Sequence, residues 1–429
     1  MEVLILIVSF IFLLSIGVPI AYSIGLSAMF TLMVSIPLVA SFTTVAQRMA
    51  TGLDSFSLIA IPFFILAGEL MNRGGIARRL IDFAKALVGM LPGGLAYVNI
   101  MACMLFGAIS GSAIAATSAI GGIMNKRMEK EGYDKAFSAA VNITSSTTGL
   151  VIPPSNILIV FSLASGSASI AALFLAGYLP GILVGFFLMA VAGFYAYRNK
   201  YPVTGRMKIS ATFMYFVYAL PSLFLLVVVI GGIIAGIFTA TEASAIAVLY
   251  AFILSVVIYR EIKLNELPEI LLNAAKTTSI VLLLICTSMT MSWAMSIENI
   301  PRDVSLLMLS VSDNKIIVLL IINFILLLVG VFMDITPAVL IFTPIFLPVV
   351  TRLGVDPVHF GIIMVLNLCI GLCTPPVGSV LFVGCSVAKI RISEVIRPLL
   401  PLFAVMILAL LMVTFIPSLS LWLPAMFGF

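Results

Sequence analysis

Two stretches of this chain place polar backbone where an uninterrupted helix would hide it. The first, Thr147-Thr148-Gly149-Leu150-Val151-Ile152-Pro153-Pro154-Ser155-Asn156, lies in a hydrophobic run and carries two adjacent prolines. A proline has no N–H for the helix ladder and its ring clashes with the carbonyl four residues back, so Pro153 and Pro154 release the carbonyls of Gly149 and Leu150. The second, Gly371-Leu372-Cys373-Thr374-Pro375-Pro376, follows 222 residues later and releases the carbonyls of Gly371 and Leu372 in the same way. At hydrocarbon depth a carbonyl without a partner is tolerated only where it is buried in protein or lines a cavity, and broken helices there can coordinate cations. A simple proline kink is the alternative. Against it, the same offset without gaps pairs Ala116 with Ala338, Ile123 with Ile345, Gly132 with Gly354, Asp134 with Asp356 and Ile170 with Ile392. Matching interruptions in two halves point to a transporter binding site.

Two polar tips add further oxygens. Ser110-Gly111-Ser112 separates two apolar pieces within residues 95–130, whose flanks are both basic, and Met333-Asp334-Ile335-Thr336-Pro337 interrupts residues 316–350. We read each as the turn of a re-entrant helical hairpin, whose second helix directs its positive N-terminal end at the midplane, an arrangement that suits an anion. Pro337 fits a first helical turn that Thr336 or Asp334 can cap, and capping accounts for Thr336 as well as function does. A carboxylate at membrane depth such as Asp334 is costly and marks an ion or substrate path. A Na⁺ ion wants carbonyl, hydroxyl and carboxylate oxygens. The candidate ligands are Ser110, Gly111, Ser112, Gly149, Leu150 and Pro153 in the first half, and Asp334, Thr336, Gly371, Leu372 and Pro375 in the second. An anionic substrate would lie between them, near Ser110, Ser112, Ser155, Asn156, Asp334 and Thr374. No arginine or lysine sits deep in the apolar segments to bind it directly.

The elements that position these residues follow from composition. With 429 residues, 62% of them hydrophobic and 9% charged, and a mean hydropathy of +1.28, the chain has too little polar surface for a soluble globule. It reads as an all-α polytopic protein of the lipid bilayer. The start lacks the positive flank of a signal peptide and is taken as a retained span. Residues 2–34 are too long for one span of about 20 residues and break near Gly17 and Pro19. Further spans are expected at 55–72, 171–197, 220–237, 240–259, 277–296 and 399–415, with Pro-Pro-broken helices at 133–165 and 357–387. The pattern of Arg78, Arg79, Asp82 and Lys85 among apolar residues predicts an amphipathic helix along the interface at 75–90, and a second interfacial stretch surrounds Arg302. Arg198, Lys200, Arg206 and Lys208 mark the joint between halves 1–208 and 209–429.

Five spans per half is an odd number, so equivalent segments face opposite ways and the repeat is inverted. With both termini periplasmic, all but Arg48, Arg302, Lys315 and Arg352 of the 22 lysines and arginines fall on the cytoplasmic side, as the positive-inside rule requires. The net charge of +5 fits that placement better than nucleic acid. The first hairpin then enters from the cytoplasm and the second from the periplasm.

Other residues receive structural roles. Glu69 and Arg73, four apart at a helix end, read as an ion pair. Thr239-Ala240-Thr241-Glu242 is a capping box. His359 follows Pro357 at a helix start and reads as structural, which leaves an intramembrane serine protease without its histidine. The five cysteines fall in apolar segments and read as packing residues. The sequence has no G-x-x-x-x-G-K-[ST] loop, so this chain is not expected to hydrolyse ATP, its energy is expected from an ion gradient or a partner, and no cofactor is expected beyond a coupling ion.

The paired Gly-Leu-x-x-Pro-Pro breaks, the Ser110-Gly111-Ser112 tip and the segment Ile61-Pro62-Phe63-Phe64-Ile65-Leu66-Ala67-Gly68-Glu69-Leu70-Met71 give the chain a full-length likeness. It resembles the large membrane subunit of tripartite ATP-independent periplasmic (TRAP) transporters. The resemblance implies inward movement of organic acids with Na⁺ across the bacterial inner membrane by an elevator mechanism. It also implies a small four-helix membrane subunit, not fused here, and a soluble periplasmic substrate-binding protein. The chain looks closest to the sialic-acid branch, and no residue separates that branch from C4-dicarboxylate carriers. A passive channel or membrane scaffold is the other class, which the internal repeat with broken helices disfavours.

Overall fold

The computed structural model describes residues 2–91, 93–201 and 209–429, and these form helices and turns with no strand. Arg206 and Lys208, expected at the joint between halves, lie outside the described residues. The first half runs α1 (Glu2–Ser15), α2 (Ile20–Ser35), α3 (Leu38–Gly52), α4 (Ala60–Arg73), α5 (Ile76–Val88), α6 (Gly94–Ser110), α7 (Ala113–Lys130), α8 (Lys135–Ser146), α9 (Thr148–Val151), α10 (Asn156–Ser165) and α11 (Ile170–Arg198). The second runs α12 (Ile209–Ile234), α13 (Ala240–Phe252), α14 (Leu267–Ile297), α15 (Ile300–Val311), α16 (Lys315–Phe332), α17 (Ile335–Arg352), α18 (Pro357–Gly371), α19 (Ser379–Ala388), α20 (Ile392–Phe415) and α21 (Ser418–Met426). Among the described residues eight helices are long and apolar enough to cross a membrane, or nine if the pair 135–151 and 156–165, bent by 48°, counts as one.

The helix starts are written in the sequence. Asp134 and Asp356, paired by the 222-residue offset, cap the two broken helices: Asp134 accepts from the Phe137 N–H at 2.8 Å and Asp356 from the Val358 N–H at 2.7 Å. Such caps satisfy backbone donors that the first turn leaves without a helical partner. The Thr239–Glu242 capping box forms as expected. His359 is buried in the first turn of α18, and its backbone N–H donates to the Asp356 carboxylate at 3.3 Å.

Two elements escaped the sequence reading. Helix α3 fills residues left as a connection, and α21 follows the last expected span. Helix α5 is amphipathic as expected, but its apolar face does not wait for lipid or a partner. Ile76, Leu80, Ile81 and Ala84 are fully buried against this chain's own core, and α6 and α12 pack on it.

The packing sorts the helices into two groups. Helix α1 packs on α2, α2 to α4 pack on α14 and α4 also on α13, while the hairpins α6–α7 and α16–α17 pack with the broken helices. Each hairpin exchanges contacts with the opposite half: α7 lies on α19, and α17 lies on α10. Within each half the first hairpin helix seats on its own broken helix by one glycine pair and one asparagine pair. A Cβ added at Gly149 would stand 2.2 Å from the Cα of Gly107, and one at Gly371 would stand 2.5 Å from the Cα of Gly330. The side-chain amides of Asn99 and Asn142 lie 3.2 Å apart, and Asn367 donates to the side-chain and backbone oxygens of Asn323, both at 2.9 Å. Small residues allow this approach of backbones, and buried amides hydrogen-bond across helices where no water competes.

These glycine contacts set a test. Gly149→Ala and Gly371→Ala should each cost roughly 1–3 kcal/mol, the range for overpacking a filled interior. Gly122→Ala, where an added Cβ meets nothing within 4 Å, should leave stability unchanged or slightly raise it. Thermal unfolding of the three purified variants decides; equal midpoints would remove the glycine seats from the account.

Candidate functional site

Both tips and both breaks meet at one cavity of about 470 Å³. The tip of the first hairpin contributes Ser110, Gly111 and Ser112, and the second contributes Asp334, Ile335 and Thr336. The breaks contribute Leu150 and Asn156, and Leu372 and Ser379. The opposite wall is α4 and α14, through Ile61, Ile65, Gly68, Glu69, Asn72, Thr277 and Val281.

Each tip is built to present polar groups. Gly111 turns the chain between α6 and α7 at φ +62°, a left-handed conformation that glycine adopts without strain. Ser112 then caps α7 by accepting from the Ala115 N–H at 3.2 Å. Asp334 holds the same place under the 222-residue offset, at the N-cap position of α17, and its carboxylate makes no capping hydrogen bond and is exposed to the cavity. Capping by Thr336 does not occur either, since α17 begins one residue before it. The Asn156 amide stands beside Gly111, within 3.1 Å of where a Cβ would be, so the first break touches the first tip.

Of the expected ligands, Ser110, Gly111, Ser112, Leu150, Asn156, Asp334, Thr336 and Leu372 line the cavity. Ser155, Thr374, Gly149, Pro153, Gly371 and Pro375 do not. The released carbonyls explain part of the difference. Ser155 is buried and turns its hydroxyl back onto the Leu150 carbonyl at 2.5 Å. The Thr374 N–H bonds the Gly371 carbonyl at 2.9 Å, the Leu381 N–H bonds that of Leu372 at 3.3 Å, and the Thr374 hydroxyl bonds the Ile370 carbonyl at 2.8 Å. A carbonyl oxygen has two lone pairs, so one hydrogen bond leaves capacity for a cation. The Pro153–Pro154 and Pro375–Pro376 bonds are both cis.

The cavity also holds residues that the sequence reading left out or assigned elsewhere. Ser379 opens α19 as Asn156 opens α10, but one extra residue follows the second proline pair and breaks the ungapped offset; its hydroxyl has no hydrogen-bond partner. Asn72, Ser118 and Thr277 line the wall without any local signature. Glu69 corrects an expectation. Arg73 reaches across to Glu269 on α14 at 2.7 Å, and Glu69 faces the cavity instead of pairing with Arg73. An i, i+4 pair on one helix is weak, and a cross-helix carboxylate with hydrogen-bond geometry displaces it.

The model of the "Tripartite ATP-independent periplasmic transporter, DctM component" family matches residues 7–419. The chain is 57% identical to the protein YgiK of Salmonella typhimurium over 99% of this chain and 98% of that protein. It is 40% identical to the C4-dicarboxylate TRAP transporter large permease protein DctM of Pseudomonas aeruginosa, over 95% of this chain and 94% of the relative. Among solved structures, the YdaH transporter of Alcanivorax borkumensis shares the fold with a TM-score of 0.66 at 11% identity, covering 90% of this chain and 89% of that one.

Thiol chemistry tests the cavity wall. All five native cysteines are buried, so a hydrophilic thiol reagent should label Ser118→Cys and Thr277→Cys, which are exposed on the cavity wall, much faster than the buried Ser155→Cys. Equal labelling of the three would mean that the cavity is not where these side chains place it.

Proposed function

The chain belongs to the DctM family, the large membrane component of tripartite ATP-independent periplasmic transporters, and from that premise and the cavity we propose Na⁺-coupled uptake of a small organic acid. It is a multi-pass membrane permease subunit and not an enzyme. The proposed substrate class is that of sialic acid or a C4-dicarboxylate, received from a periplasmic binding protein across the bacterial inner membrane, with a small four-helix membrane subunit as partner. Both termini face the periplasm on this reading.

The observation that carries the reading is the convergence of both tips and both breaks on one cavity. Two sets of backbone and hydroxyl oxygens, one from each half, meet there with the Asp334 carboxylate. That donor set suits a hard monovalent cation, which takes oxygen ligands and needs no soft ones. Among the described residues no group of three or more His, Cys, Asp or Glu side chains comes together to favour a transition metal. The N-terminal ends of α7 and α17 direct partial positive charge at the same space, which suits an anion. Proposed Na⁺ positions use Ser110, Gly111, Ser112 and Leu150 on one side, and Asp334, Thr336 and Leu372 on the other.

An elevator motion of inverted halves accounts for the packing. The hairpins and broken helices interlock across the halves into one block, while α1 to α4 with α13 and α14 form the other group. The first block would carry the cavity past the second, with α5 seated on the hairpin helix α6 and α15 on the hairpin helix α17.

Uptake by proteoliposomes containing this chain, the small subunit and a binding protein tests the proposal. Accumulation should require an inward Na⁺ gradient and should fail when either partner is omitted. Ser112→Ala and Asp334→Asn should raise the Na⁺ concentration for half-maximal uptake several-fold while the protein stays folded. Gradient-independent equilibration of the acid would make the chain a passive channel, and unchanged Na⁺ dependence in both variants would remove these ligands.

A further inference from the structure

Glu69 is a carboxylate inside a proposed anion cavity, on the wall that carries none of the cation oxygens. It projects from α4 and among the described residues makes no hydrogen bond or contact ion pair, since Arg73 bonds Glu269 and acts on Glu69 only through space. The cavity lining contains two carboxylates, Glu69 and Asp334, and no lysine or arginine. The two differ in what can neutralise them. Asp334 belongs to a tip, beside hydroxyl and carbonyl oxygens of the same block, where a bound cation would offset its charge. Glu69 belongs to the other helix group, so a cation carried by the tips does not travel with it.

Its distance from the substrate space is set by a backbone contact. A Cβ on the neighbouring Gly68 would stand 2.9 Å from the Ser110 carbonyl, so α4 presses against the first tip at the residue before Glu69. Asn72, one turn further along α4, and Thr277 on α14 continue the same wall towards the end that bears Arg73 and Lys276. Positive-inside placement makes that the cytoplasmic end. A carboxylate there repels an anion through a partly dehydrated space, where charges act more strongly than in bulk water. The repulsion exists only while the tip abuts α4, so the two conformations of an alternating carrier differ in anion affinity. Such a differential interaction is what a residue needs to bias a conformational or release step.

We propose that Glu69 is a release residue: a fixed negative charge that lowers anion affinity in this conformation and speeds exit of the substrate to the cytoplasmic side. The inference rests on the reading of the cavity as an anion carrier's site. Asp334 faces the same cavity and adds to its negative potential when no cation is bound, while Arg73 is committed to Glu269 at the exit.

The test probes the charge without needing the substrate. In the assembled complex carrying Thr277→Cys, on the exposed part of the same wall, the cysteine is modified with two methanethiosulfonates of similar size, one bearing a sulfonate and one a trimethylammonium group. With Glu69 present the cationic reagent should react faster. Glu69→Gln should lower the cation-to-anion rate ratio roughly three- to tenfold, an effect that shrinks at high salt, and Glu69→Asp should restore most of it. A ratio that does not move in Glu69→Gln overturns the proposal. Failure of Thr277→Cys to react with either reagent would instead overturn the cavity itself. In the uptake assay above, Glu69→Gln should slow release and bind the transported acid more tightly. Weaker binding would make Glu69 a substrate ligand and end the release role.

Discussion

A backbone carbonyl released by a broken helix needs a partner, and this protein breaks two helices inside apolar runs. Most of the site follows from how those breaks are satisfied. Ser155 answers Leu150, Thr374 answers Gly371, and Leu381 answers Leu372, each with one hydrogen bond. These three carbonyls are therefore satisfied within the fold, and their second lone pairs stay available. A site built this way needs no deep cationic side chain.

The same constraint explains the glycine and asparagine pairs. A break presents usable oxygens only if its position relative to a hairpin tip is fixed. At Gly107 and Gly149, and again at Gly330 and Gly371, the backbones touch because neither carries a side chain. The Asn99–Asn142 and Asn323–Asn367 amides then fix the register along the helices, in the absence of a strong hydrophobic force between apolar surfaces in lipid. The exchange of α7 onto α19 and of α17 onto α10 locks the halves together. Four separated stretches of sequence reach one cavity through these contacts.

Much of this could be read from residue order because the signals were local. Proline pairs, a Ser-Gly-Ser tip and an aspartate ahead of a helix act within a turn or two of themselves, and Asp134 and Asp356 cap the helices that the repeat predicted. What could not be read depended on neighbours distant in sequence or on side-chain direction. Nothing near Ser155 says that its hydroxyl turns inward to Leu150 and not outward. The Glu69–Arg73 spacing favoured a local pair until Glu269, on another helix, offered a better one. Ser379 was lost to a single inserted residue that an ungapped comparison cannot cross. The cover over α5 comes from α6 and α12, and its amphipathic pattern is the same whether lipid or protein lies against it.

Charge provides a further step, on the reading proposed above. The cavity lining has carboxylates but no lysine or arginine, so an anion arriving alone meets Asp334 and Glu69 with only helix ends, amides and hydroxyls in its favour. Partial charges at a helix terminus stabilise an anion by about 0.3–2 kcal/mol, which a nearby carboxylate can cancel. A cation bound at the tips reverses the balance, because it neutralises Asp334 and places positive charge beside the anion. Coupling then follows from electrostatics without a dedicated latch: the acid has a favourable site when the cation is present and an unfavourable one when it is absent. A lysine or arginine in the lining would attract the acid whether or not the cation had bound, and would weaken that coupling.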